Sequence, residues 1–236
     1  MFIYISLLGS DSTGTGSIQN PFRTLAHAVS VFGSNVSYIL LAGQAGVNRF
    51  EEGDLDFSNL DKVFIIGQEQ ARIELQVEQI HGNYLLNFKL QTLTLVGLEA
   101  DKYALDINKG SITFQNVTAN VKKGLGNFAS TTVISNDLTI TSDDLTAHAL
   151  NLVTASRITS TNLKGYGAYK SLVFGDDTTE KFDMTNTESY GTCDTGLWFT
   201  SNSTSDPTLA ITGATITNAG VGIFVSGVRN TAVESL

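Results

Sequence analysis

Short apolar segments recur along the chain and constrain its fold more than any other feature. Six segments begin with an apolar residue, and five of them place another apolar residue at the sixth position. The segments are LTLVGL at 93–98, ITFQNV at 112–117, ITSDDL at 140–145, ITSTNL at 158–163, FDMTNT at 182–187 and ITGATI at 211–216. Their fifth positions are Gly97, Asn116, Asp144, Asn162, Asn186 and Thr215. Gly, Asn and Asp tolerate positive φ most readily, so the fifth position predicts a sharp turn.

This repeat predicts a stack of coils. A short strand points alternate residues inward, a left-handed residue turns the chain, and the next strand begins with another inward apolar residue. One coil cannot bury its own inner face, but stacked coils share a continuous core. We therefore expect residues 1–236 to form one all-β domain, a right-handed single-stranded parallel β-helix. The alternative is a two-sheet sandwich, whose short strands have similar spacing.

The N-terminal quarter predicts a strand, one substantial helix and a first coil within residues 1–59, before stacked coils over 60–236. Asn20 is a suitable N-cap and Pro21 suits the first helical position. An apolar face at helical spacing follows, formed by Phe22, Leu25, Ala26 and Val29. Gly33 is placed to end the helix, so we expect it to span about 21–32.

Two apolar segments that end in Gly, Ile39–Gly43 and Val63–Gly67, predict strands on either side of an acidic turn region at 49–61. The start, MFIYISLLG, is apolar for only about seven residues and has no preceding Lys or Arg. It predicts an opening β-strand rather than a signal peptide.

Composition excludes several classes of partner. Hydrophobic residues make up 42% of the chain and charged residues 16%, which is enough apolar material for a long core. The net charge of −9 argues against nucleic acid, anionic membranes and strongly acidic polysaccharides. Cys193 is the single cysteine, so neither an intrachain disulfide nor a cysteine metal site is expected. No apolar run reaches the roughly 18 residues that a membrane span requires.

The segments GSDSTGTGSIQNPFRTLAHAVS at 9–30, ILLAG at 39–43 and VFIIG at 63–67 resemble the N-terminal region of the pectate-lyase-like superfamily of right-handed β-helices. They are most similar to the branch found in bacteriophage tailspikes and tail fibres. ITNAGVGIFVSG at 216–227 also resembles the coils of that family. The resemblance implies a helix that caps the open end of the solenoid, a homotrimer, and a place in the virion tail or outside the cell.

Aromatic residues in glycine-containing segments predict a sugar-binding surface. KGYGAYKS at 164–171 and ESYGTCDTGLWF at 188–199 contribute Tyr166, Tyr169, Tyr190 and Trp198. Aromatic faces with a polar group stack well on sugar rings, and loops on a rigid scaffold are common binding sites. Taken with this surface, the resemblance implies a structural virion protein that binds host-surface polysaccharide and contacts other virion proteins.

An enzyme is the competing hypothesis. A polysaccharide depolymerase, whether glycoside hydrolase or lyase, needs acidic residues on one concave face. The candidates are Asp143, Asp144, Asp176 and Asp177. Adjacent carboxylates on a strand point to opposite faces, so the alternative places Asp144 in a turn and Asp143 in solvent. Asp176 and Asp177 equally fit a solvated hairpin tip, and we expect neither a metal nor a cofactor. A purely architectural oligomer is the third hypothesis.

Overall fold

Parallel strands stack into a β-solenoid of about seven turns. The structure, a computed structural model, describes residues 2–33, 38–58, 60–69, 71–200, 208–227 and 230–234. Within these residues it has one helix, α1 (Leu25–Phe32). The strands are β1 (Phe2–Ser6), β2 (Tyr38–Ala42), β3 (Val47–Glu51), β4 (Asp54–Asp56), β5 (Lys62–Gly67), β6 (Arg72–Val77), β7 (Gln79–Gly97), β8 (Leu105–Val121), β9 (Gly126–Asp144), β10 (Leu150–Val153), β11 (Arg157–Tyr169), β12 (Ser171–Gly175), β13 (Lys181–Thr185), β14 (Glu188–Ser189), β15 (Cys193–Thr200), β16 (Thr208–Thr212), β17 (Thr215–Ile216), β18 (Ala219–Ser226) and β19 (Asn230–Glu234).

The core consists of inward-facing side chains that stack in columns along the solenoid. One column begins with Ile3, Ile39 and Ile65, which lie side by side on β1, β2 and β5. It continues through Leu90, Phe114, Ser135, Ser160, Met184 and Ile211. The two serines of this column are buried, and their Oγ atoms lie 2.6 Å apart. The hydroxyl groups therefore satisfy each other inside an otherwise apolar column.

The predicted repeat is confirmed for three of its six segments and shifted for the others. The segments at 112–117, 158–163 and 182–187 lie in equivalent positions, and Asn116, Asn162 and Asn186 have φ of 51°, 57° and 53°. The equivalent segments in the remaining coils begin at Phe88, Val133 and Leu209. Gly97, Asp144 and Thr215 have no positive φ, so the prediction of a left-handed residue was wrong there. In the strands before and after each turn, inward-facing apolar residues alternate with outward-facing residues. The six-residue pattern therefore matches segments on either side of a turn.

The left-handed residues of successive coils lie in one column, and side-chain hydrogen bonds connect them. Asn162 Nδ2 donates to Asp137 Oδ1 at 2.8 Å, and Asn186 Nδ2 donates to Asn162 Oδ1 at 3.2 Å. Gly213 follows in the column with a φ of 65°, and a Cβ there would lie 2.9 Å from Asn186 Oδ1. The turns of successive coils are thus tied together by the same amides that favour the left-handed backbone.

The helix is shorter than predicted. Its N-cap is Thr24, whose hydroxyl accepts a hydrogen bond from His27 N. Asn20 and Pro21 therefore do not begin the helix, because the chain is still extended at Phe22, which forms a parallel bridge to Ile5. Leu25 and Ala28 on the helix are buried in the core. Among the described residues, no helix has the length and apolar character of a membrane span.

The region predicted as an acidic turn contains two strands, β3 and β4. Phe50 and Leu55 are buried, whereas Glu51 and Asp54 are exposed. Alternation of apolar and acidic residues is the pattern of a half-buried strand, and the high acidic content concealed it. The opening strand and the strands predicted at Ile39–Gly43 and Val63–Gly67 are confirmed as β1, β2 and β5.

Candidate functional site

Tyr166 and Tyr190 form an exposed aromatic pair on neighbouring coils. Parallel pairing of β11 with β14 places Gly165 beside Ser189, which brings the two following tyrosines together. Their ring centroids are 5.5 Å apart with an interplanar angle of 24°. The two residues are 38% and 40% exposed. Both rings therefore present part of their surface to solvent on a rigid stack of strands.

Two charged groups flank this tyrosine pair. Lys164 Nζ lies 2.9 Å from Glu188 Oε2. The Tyr190 hydroxyl also hydrogen-bonds to the Glu188 carboxylate, and that bond raises the pKa of Tyr190. The hydrogen bond from Lys164, followed by the one from Tyr190, lowers the pKa of Glu188. The cluster thus combines aromatic surface with an ammonium and an ionised carboxylate, the groups that can hydrogen-bond to sugar hydroxyls.

Trp198 belongs to a second aromatic column. Phe174, Trp198 and Phe224 lie side by side on β12, β15 and β18, and their neighbouring ring centroids are 5.5 and 5.6 Å apart. Lys170 Nζ lies 5.5 Å from the centre of the Trp198 ring, within the range of a cation–π contact. Phe224 is 41% exposed, and Trp198 is half-buried. The side chains of this column therefore point outward. Those of Leu197 and Phe199, which flank Trp198 on β15, point into the core.

His148 extends the second column. Its ring stacks on Phe174 with centroids 4.3 Å apart, and its Nδ1 lies 2.7 Å from Ser171 Oγ. Burial, assisted by the charge of Lys170, lowers the pKa of His148 to about 4. The imidazole is therefore neutral at pH 7. Trp198 Nε1 is buried and has no hydrogen-bond partner among the residues that the structure describes.

Tyr169 is not a surface residue, which corrects the prediction. It is fully buried, its hydroxyl lies 2.7 Å from Ser189 Oγ, and it accepts a hydrogen bond from Gly191 N. A Cβ on Gly165 would lie 2.7 Å from the Tyr169 hydroxyl, and one on Gly191 would lie 2.7 Å from its ring. The glycines that suggested a surface loop instead make room for an inward-facing ring.

The first pair of candidate carboxylates is divided between a turn and solvent. Asp144 Oδ1 accepts hydrogen bonds from Thr146 N at 2.8 Å and from Thr146 Oγ1 at 2.6 Å. Hydrogen bonding to Thr146 is the main reason that the pKa of Asp144 lies below its usual value. Asp143 is exposed. The structure therefore agrees with the alternative that assigned Asp144 to a turn and Asp143 to solvent.

The second pair lies in the loop after β12. Asp176 Oδ1 accepts from Thr178 N at 3.0 Å, and its Oδ2 accepts from Thr154 N at 3.1 Å on the preceding coil. Asp177 is exposed. Within the described part of the chain, no group of three His, Cys, Asp or Glu residues is arranged to hold a metal ion. The carboxylates of Asp144 and Asp176 thus stabilise turns by accepting hydrogen bonds.

A carboxylate at the other end of the solenoid has an unusual environment. Glu52 is buried, and its carboxylate accepts hydrogen bonds from the backbone N–H groups of Leu25 and Ala26. Burial raises the pKa of Glu52, although both hydrogen bonds oppose the shift. A cavity of about 420 Å³ lies beside it, and Arg23 and Arg49 also line that cavity. Because Glu52 already satisfies the helix start, its role here is structural.

Comparisons with protein-family models, with curated proteins and with solved structures find no match to this chain. Function is therefore inferred from the outward side chains of the coils. Two groups of these stand out, the tyrosine pair with Lys164 and Glu188, and the column centred on Trp198.

Proposed function

We propose that this chain is a structural protein of the tail-fibre or tailspike type that binds host-surface polysaccharide. In this proposal it is a right-handed β-helix of the pectate-lyase-like superfamily, located in the virion tail or outside the cell. Its partners are a glycan and other virion proteins, and it acts as a homo-oligomer. The observation that carries the glycan-binding part is the exposed Tyr166–Tyr190 pair beside Lys164 and Glu188.

The chemistry of this cluster suits a sugar. The C–H face of a pyranose ring packs on an aromatic face, while its hydroxyl groups need donors and acceptors nearby. Tyr166 and Tyr190 supply the aromatic surface, and Glu188 and Lys164 supply the acceptor and the donors. Because these side chains project from the paired strands β11 and β14 or, for Tyr190, directly follow β14, little conformational entropy is lost when a ligand binds.

The charges favour a neutral or weakly charged glycan. Lys164 and Glu188 neutralise each other at the tyrosine pair, and the chain carries a net charge of −9. A strongly anionic polymer would be repelled by that overall field. Trp198 offers a second contact for a longer oligosaccharide, with Lys170 placed over its ring.

A glycan array tests the proposal with the full chain and two single variants, Tyr190→Ala and Tyr84→Ala. Tyr84 is the matched control, because it is an exposed tyrosine at a turn of an earlier coil. We expect the wild type and Tyr84→Ala to bind the same glycans, and Tyr190→Ala to bind them roughly tenfold more weakly. Equal binding by all three proteins would place the glycan elsewhere and overturn the assignment of this site.

The same glycans separate binding from catalysis. The chain is incubated with each bound polysaccharide, and released oligosaccharides are measured by mass spectrometry. We expect no release. Release that is abolished by Asp→Asn changes at 143, 144, 176 or 177 would establish a depolymerase instead. Stable homo-oligomers that bind no glycan on the array would establish a purely architectural role.

A further inference from the structure

The exposed Tyr166–Tyr190 pair also has the geometry of a site for covalent cross-linking. The two rings lie on neighbouring coils, with centroids 5.5 Å apart and an interplanar angle of 24°. Gly165 and Ser189, the residues that precede them, are paired in parallel register on β11 and β14. Strand pairing holds the two backbones in place, so rotation about the side-chain bonds is enough to bring ring carbons into contact.

The other tyrosines differ from this pair in their surroundings. Among the residues that the structure describes, Tyr166 and Tyr190 make the one ring contact between two tyrosines. Tyr169 is fully buried. Tyr84 is 62% exposed, but Lys109 Nζ lies over its ring, 4.8 Å from the centroid. An oxidant in solution therefore reaches Tyr84 as well as the pair, but a radical at Tyr84 has a lysine beside it rather than a second phenol.

Tyr190 has an acceptor for its phenolic proton. Its hydroxyl hydrogen-bonds to the Glu188 carboxylate, and Lys164 Nζ lies 2.9 Å from Oε2 of the same carboxylate. The ammonium group keeps that carboxylate ionised. Because a phenol loses its proton when it loses an electron, an ionised acceptor at the hydroxyl favours oxidation of this tyrosine.

We infer that Tyr166 and Tyr190 are a site of oxidative cross-linking, at which hydrogen peroxide and a haem peroxidase convert the pair to dityrosine. Each phenol gives up one electron and one proton, and the proton of Tyr190 leaves through Glu188. The two radicals join by a carbon–carbon bond between the ring carbons ortho to the oxygens. The hydrogens on those carbons then move to the oxygens and restore both phenols. Hydrogen peroxide takes up the two electrons and two protons and becomes two molecules of water.

The new bond joins the coil of β11 to the coil of β14. It closes a loop of the chain from Tyr166 to Tyr190, which contains β12 and β13. A cross-link between residues distant in sequence reduces the conformational entropy of the unfolded chain. Cys193 is the single cysteine, so no intrachain disulfide supplies such a bond. The oxidised protein should therefore resist unfolding better than the unmodified one.

Intact-mass spectrometry under denaturing conditions tests this inference on the full chain, treated with a haem peroxidase and an equimolar amount of hydrogen peroxide. We expect the wild type to lose the mass of two hydrogen atoms and to gain dityrosine fluorescence while it remains a single chain. Tyr166→Phe and Tyr190→Phe keep both rings, and each should abolish this loss. Tyr84→Phe is the matched control, because it removes an exposed tyrosine outside the pair, and it should react like the wild type.

Urea unfolding then measures the effect of the bond. The cross-linked wild type should unfold at a higher urea concentration than the untreated protein. Tyr190→Phe, treated in the same way, corrects for oxidation at Trp198, Met184 or Cys193 and should show no such rise.

Several results would overturn the inference. One is a wild type that keeps its mass or forms only covalent dimers. Others are a mass loss that persists in Tyr166→Phe or Tyr190→Phe, a Tyr84→Phe variant that no longer reacts, and a fully cross-linked wild type whose urea midpoint is unchanged. The reaction contains no glycan, so these outcomes are independent of those of the glycan array.

Discussion

At the scale of single residues, the left-handed column explains why asparagine recurs in the sequence. Asn162 adopts φ of 57° and joins the coils on both sides through its amide. Asn162→Ala should lower the free energy of unfolding by about 1–3 kcal/mol, since alanine disfavours this backbone and cannot replace the hydrogen bonds. Chemical denaturation measures the loss. Asn162→Gly should lose less, because glycine accepts the backbone; equal losses would show that φ is not the cause.

His148 gives the molecule a predictable pH dependence. Its pKa is lowered to about 4 in the folded state, against 6.5 for an ordinary histidine. Between these pH values the unfolded chain takes up a proton that the folded chain does not. Stability should therefore fall as pH drops from 6.5 to 4, by at most about 1.4 kcal/mol per pH unit.

Unfolding curves at several pH values compare the wild type with His148→Phe. Phenylalanine keeps the aromatic contact with Phe174 but cannot titrate. The variant should be less sensitive to acid over this range. Identical pH profiles for the two proteins would contradict the assignment of this slope to His148.

At the scale of elements, the start of α1 depends on a carboxylate that is distant in sequence. Glu52 accepts from the N–H groups of Leu25 and Ala26. Glu52→Ala should lower the free energy of unfolding by about 1–3 kcal/mol, because both donors lose their acceptor inside the protein. Thermal denaturation compares it with Glu51→Ala, which removes an exposed neighbour. Equal losses from the two changes would mean that Glu52 does not hold the helix.

The elements also show what the sequence could and could not predict. Strands at the start of the chain were predictable, because Ile39 and Val63 begin apolar segments that end in glycine. The helix start was not, because its caps depend on Thr24 and on the distant Glu52 rather than on Pro21. The repeat identified coils but could not fix their register, since the same alternation occurs on both sides of every turn.

The candidate site was predictable only in part. Tyr166 and Tyr190 are exposed on one face, as aromatic residues in glycine-containing segments suggested. Tyr169 is three residues from Tyr166 and lies in the core, because strand alternation and two nearby glycines turn it inward. Phe174, which completes the Trp198 column, was missed because its partners His148 and Trp198 are distant in the sequence.

At the scale of the whole molecule, stacking turns short segments into long surfaces. Each coil adds one residue to every column, so a feature repeated on neighbouring coils becomes an extended patch. The tyrosine pair and the Trp198 column are two such patches, and both occupy the later coils.

Fluorescence of the single tryptophan tests the glycan-binding proposal most directly. Trp198 lies in the outward column that would contact a bound oligosaccharide, so its emission reports on that surface without a label. Titration with a panel of bacterial surface oligosaccharides should produce a saturable change for at least one of them, and Tyr190→Ala should weaken that binding roughly tenfold. Unchanged Trp198 emission across the whole panel, at concentrations up to several millimolar, would contradict the contact with Trp198, and equal binding by Tyr190→Ala and the wild type would contradict the assignment to the tyrosine pair.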